Sequence, residues 1–121
     1  MIKTTLVSAA ILLGSITFVD AQEAVRVTDE TTFRKMIVDK KWTHAWGKTW
    51  VQAKSDGTLI GDSPNGKIKG NWVWKGKNWC RSVSVGKEKY GEECQQFYMI
   101  GDRIYKNVTS RAPKGNYYFL R

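Results

Sequence analysis

From Lys41 onward the chain is interrupted by turn-forming residues at intervals of about 8 to 12 positions, the spacing of short strands joined by tight hairpins. The breakers are Gly47, Asp56-Gly57, Asn65-Gly66, Gly76, Gly86, Gly101-Asp102 and Pro113-Lys114-Gly115. Asp-Gly and Asn-Gly supply the positive φ that two-residue hairpin turns demand. The spacing predicts strands over 41–46, 48–54, 58–62, 67–75, 78–85, 93–100, 103–109 and 116–120, with a loop over 86–92. Eight short antiparallel strands left flat would expose two edges, and closing the sheet on itself removes them. The expected fold is therefore all-β, a small antiparallel meander closed into an eight-stranded, lipocalin-like barrel. A strongly twisted open sheet is the alternative. An eight-stranded barrel has an interior that side chains just fill or that holds one small ligand.

Period-two alternation assigns the faces. Ile68, Gly70, Trp72 and Trp74 share one side and are expected inward, with Lys67, Lys69, Asn71, Val73 and Lys75 outward. On the following strand Trp79, Arg81, Val83 and Val85 oppose Cys80, Ser82 and Ser84. If the two valines point inward, Arg81 points inward with them. A buried guanidinium must be paired, either with an acidic ligand or with Glu92, Glu93 or Asp102. Upstream, Val25 to Lys40 carries the helical pattern of the mature chain: Thr28 as cap, then Phe33, Met36 and Ile37 at i, i+3 and i+4. One short N-terminal helix of that kind should lie against an end or edge of the sheet.

The N-terminus has the form of an export signal. Lys3 precedes an apolar run from Leu6 to Val19, about 14 residues and short of the roughly 20 that a membrane helix needs. Cleavage after Ala21 divides the chain into a signal peptide over 1–21 and a single domain over 22–121, periplasmic or secreted, with no transmembrane segment after cleavage. In that setting two cysteines read as one disulfide, Cys80 with Cys94. Closing a loop of about 15 residues is worth about 3 kcal/mol. A zinc site would need four Cys or His ligands, and beyond this pair there is only His44. No metal or other cofactor is expected.

Six Trp, five Tyr and four Phe make the chain rich in aromatic residues, and all six indoles fall between Trp42 and Trp79. They suit either a ligand cavity or a core that must be filled from short strands. As a cavity, its candidate binding residues are Trp46, Trp50, Trp72 and Trp74, with Arg81 or His44 as polar anchor for an apolar or anionic small ligand. The net charge of +9 favours anionic partners such as envelope polymers or lipid headgroups. Interleaved Trp and Lys also suit single-stranded nucleic acid, but export argues against that partner. Catalysis has little support: His44 is the sole imidazole, and no G-x-S-x-G elbow is present. Asn107-Val108-Thr109 matches a glycosylation sequon.

Several of these elements recur together in known proteins. Gly70-Asn71-Trp72-Val73-Trp74, Cys80-Arg81, Cys94-Gln95, Gly101-Asp102-Arg103-Ile104 and the final Tyr118-Phe119-Leu120-Arg121 resemble a group of small exported α-proteobacterial proteins. The similarity covers roughly residues 28–121. Members often carry the automatic name dihydrodipicolinate reductase. That activity is not implied here, since it needs a dinucleotide-binding βαβ unit with a Gly-rich turn opening a helix, and the glycines of this chain end hairpins. The resemblance implies the fold and the export. The leading expectation is an exported, non-enzymatic binding barrel. The alternatives are a basic protein docking on anionic envelope polymers or lipids, a protease-inhibitor-like barrel, and an enzyme using His44.

Overall fold

The computed structural model describes residues 23–121, so the leader expected over 1–21 lies outside the described residues. Its elements run β1 (Val25–Val27), α1 (Glu30–Met36), β2 (Trp42–His44), β3 (Trp50–Ala53), β4 (Thr58–Ser63), β5 (Gly66–Lys75), β6 (Asn78–Val85), β7 (Glu88–Ile100), β8 (Ile104–Val108) and β9 (Asn116–Leu120). Strands β2 to β9 form the expected antiparallel barrel: the order runs β7-β6-β5-β4-β3-β2-β9-β8, and β8 pairs back onto β7. No helix among the described residues is long and apolar enough to cross a membrane.

Closure depends on β7, which at 13 residues is long enough to serve two neighbours in succession. Glu88 to Gln95 pair with β6, and Gln96 to Ile100 pair with β8. Beyond Gln95 the edge that β6 has vacated would leave backbone groups without partners. Strand β1 fills it, with Val25, Arg26 and Val27 opposite Met99, Tyr98 and Phe97. This revises the helical reading of Val25 to Lys40. The first three residues alternate, Val25 exposed and Val27 buried, and join the sheet instead. The helix that remains begins one residue later than Thr28 suggested, because Asp29 is the cap and accepts from the Thr32 amide at 2.8 Å. The loop expected over 86–92 contracts to a turn at Gly86-Lys87. Most of the remainder pairs with β6, and a bulge on β7 between Tyr90 and Glu93, opposite Arg81 to Val83, absorbs the extra residue.

Two ends of the barrel differ. The β3–β4, β5–β6 and β7–β8 turns lie at the end that α1 covers; the other four hairpin tips lie at the opposite end. Helix α1 acts as a plug, with Phe33 and Ile37 fully buried. The Phe33 ring meets Trp42, Trp72, Trp74, Trp79 and Phe97 at centroid distances of 5.2 to 6.4 Å. At Gly70, on the inner face opposite Val83, a Cβ would collide with the Ser82 carbonyl oxygen. Glycine there lets β5 and β6 coil tightly and leaves that stretch of wall without a side chain. Outside, Cys80 and Cys94 sit directly opposite one another on β6 and β7 and form the disulfide, with 4.0 Å between their Cα atoms.

Candidate functional site

The plug fills only part of the interior. Above its aromatic layer, toward the four hairpin tips, a cavity of about 210 Å³ remains. Its floor is Trp42, Trp79 and Tyr105, and Val51, Leu59, Ile68, Val83, Val85 and Tyr118 supply apolar wall. Arg81, Gln95 and Asn107 supply the polar side. These residues converge because each occupies an inward position of its own strand: Trp79 faces Gln95, Asn107 faces Phe97, and Tyr105 faces Tyr118.

Tyr105 is locked between two rings, parallel to Phe97 and to Tyr118 at 4.8 Å from each. Burial pushes its hydroxyl well above the ordinary tyrosine value, and the neighbouring Tyr118 adds to the effect. It remains a protonated donor. On the polar side Arg81 gives one N–H to the Gly91 carbonyl and another to Glu93 Oε1, each at 3.0 Å. The bulge on β7 brings that carbonyl within reach. Glu93 also accepts from Gln95 at 2.9 Å and from Ser110 at 3.0 Å, and Gln95 Oε1 accepts from Asn107 Nδ2 at 2.7 Å. Burial pushes the Glu93 carboxyl up, but the hydrogen bonds from Gln95 and Ser110 and the charges of Arg81 and Arg111 outweigh it and hold the carboxyl below its usual range. The Arg81 charge is thus neutralised from within.

Trp79, Tyr105 and Asn107 line this cavity, and their buried Nε1, Oη and Oδ1 have no hydrogen-bond partner, three of the four such side-chain atoms among the described residues. The other interior indoles are satisfied: Trp42 donates to the Ile37 carbonyl, Trp72 to that of Lys54 and Trp74 to that of Gly76. A buried donor or acceptor left unpaired costs about 1–3 kcal/mol. All three belong to residues that line this one void.

The binding candidates read from the sequence divide between several places. Arg81 lines the cavity. Trp72 and Trp74 face inward but lie under α1, against Phe33 at 5.3 and 5.2 Å. Trp50 lies on the outer face, with Lys41 Nζ 4.5 Å above its ring. Trp46 stands at a hairpin tip, 88% exposed. His44 packs edge-on against Tyr118 at 5.1 Å, and its Nδ1 accepts from the Trp46 amide at 3.2 Å. Trp79, Gln95, Tyr105 and Asn107 also line the cavity and are not among the candidates read from the sequence. Their signal was polar atoms at inward-facing alternate positions, which becomes visible only once strand registers are known. Asn107, noticed as part of a sequon, is buried and bonded to Gln95.

No protein family, curated protein or solved structure matches this chain.

Proposed function

We propose that this protein is an exported, non-enzymatic binding protein that takes one small, uncharged, largely apolar molecule into the barrel. The observation that carries this reading is the void of about 210 Å³ that the plug leaves in the barrel, mostly apolar in its lining and bordered by Trp79, Tyr105 and Asn107, whose Nε1, Oη and Oδ1 have no hydrogen-bond partner. Two donors and one acceptor suit a molecule with a carbonyl oxygen and an N–H or O–H at one end. The Arg81–Glu93 pair leaves no spare charge to hold an ion. A cavity of 150 Å³ takes benzene, so about 210 Å³ takes roughly eight heavy atoms on the same scale. The lining offers no thiol, imidazole or carboxylate to perform chemistry, which supports binding over turnover. The signal-like N-terminus supports export.

Trp42 and Trp79 on the cavity floor make intrinsic fluorescence the direct readout. Titration with benzamide, which pairs a carbonyl with an N–H on a single ring, is expected to quench saturably and without dependence on salt. Benzoate and ethylbenzene should bind more weakly. Tyr105→Phe keeps the ring stack and removes one donor, and should weaken benzamide about fivefold or more. Val83→Phe should fill the void and abolish binding. Equal affinity for all three probes, or undiminished binding by Val83→Phe, refutes the reading.

A further inference from the structure

The open end of the barrel carries a second feature, separate from the cavity. The four hairpin tips there bear Lys48, Lys67, Lys87, Lys89, Arg111 and Lys114, all exposed, against only Asp62 and Glu88. At the other end Asp29, Glu30, Asp39, Asp56 and Asp102, on or beside α1 and its neighbouring turns, are interleaved with Arg34, Lys35, Lys40, Lys54, Lys75, Lys77 and Arg103. A rim in which bases outnumber acids six to two therefore surrounds the mouth.

The same end presents aromatic rings to solvent. Trp46, at the β2–β3 tip, is 88% exposed, and Tyr117, at the mouth end of β9 on its outward face, is 40% exposed. They are neighbours: the Ala45 amide, next to Trp46, donates to the Tyr117 carbonyl at 3.0 Å. An indole held in water at the tip of a cationic rim has the composition of an interfacial anchor. Trp and Tyr settle at headgroup level, while each nearby Lys or Arg is drawn to an anionic leaflet.

We propose that the protein docks mouth-first on an anionic phospholipid bilayer, with Trp46 inserted at headgroup depth and the lysine rim against the lipid phosphates. The charge complementarity and the exposed indole together select lipid over a soluble polyanion, which would need only the charge. Docking in this pose places the cavity opening at the membrane, so a molecule of limited water solubility could pass between bilayer and barrel. The docking itself does not rest on the cavity having a ligand, and Val83→Phe should dock as the natural protein does.

The test is co-sedimentation of the protein with phosphatidylcholine vesicles containing phosphatidylglycerol, read with Trp emission. Binding is expected with the anionic lipid, absent with pure phosphatidylcholine, and reduced as salt rises through the range where the Debye length falls below about 8 Å. A blue shift should accompany binding. Trp46→Ala should lower partitioning about tenfold and remove most of the shift. Lys87→Glu/Lys89→Glu at the rim should weaken binding strongly, whereas Lys35→Glu/Lys77→Glu at the plugged end should not. Equal losses from the two charge-reversal pairs would overturn the orientation. Absence of vesicle binding, or binding that is unchanged by Trp46→Ala and matched by heparin without a blue shift, would overturn the membrane as partner.

Discussion

Phe33→Ala tests the claim that α1 is a plug whose hold on the barrel comes from one ring. Helix α1 has seven residues, far below the length at which a helix persists alone in water, so its order depends on docking. Phe33 is fully buried and meets five other rings. Truncating a buried Phe to Ala costs about 3–5 kcal/mol, combining lost transfer energy with the cavity left behind. The upper part of that range is expected, because a rigid barrel of indoles cannot collapse into the space. For a domain of this size total stability is about 5–15 kcal/mol, so the variant should fold but sit near its limit. With a urea m-value of about 1–3 kcal/mol/M, the midpoint should fall by about 1–5 M. Trp emission should shift red in the folded baseline, since Trp72 and Trp74 lose their cover. Phe119→Ala, which removes the same ring from the outer face, should move stability by less than about 0.5 kcal/mol. A Phe33→Ala protein within 1 kcal/mol of the natural one, at unchanged m, would refute the plug.

Glu93, held below the usual carboxyl range, should contribute stability that is complete above the ordinary glutamate value of about 4.3 and is lost as pH falls through its lower folded value. Glu93→Gln should lower stability at pH 7 by about 1–3 kcal/mol and flatten the acid limb of a Tm-against-pH curve; an identical acid slope would contradict the network. Reducing the disulfide, or Cys94→Ser, is expected to cost about 3 kcal/mol, seen as a Tm lower by about 10–25 °C for a domain of this size. An unchanged melting temperature would count against any stabilising role for the bond.

Much of the barrel was legible because alternation is a local property. A period of two needs only neighbouring residues to show itself, and it placed Ile68, Trp72 and Trp74 inward, Lys67 and Lys69 outward, and Arg81 on the side of Val83 before any pairing was known. Turn residues marked the strand ends for the same reason, and the disulfide needed only the cysteine count and the signs of export. Filling and closure are not local. Whether an inward tryptophan lines a void or supports a plug depends on where α1 docks, and so Trp72 and Trp74 went to the packed end while Trp79 went to the cavity. The double use of β7 depends on β6 ending one pair beyond Cys80, where β1 and β8 take over its two edges. Gln95, Tyr105 and Asn107 come from two strands whose registers bring three polar groups to one apolar space, and no spacing along the chain encodes that distance. The identity of the wall is written in the residues; the emptiness it encloses is set by packing across the sheet, where side-chain volumes contributed by distant strands fail to fill the interior.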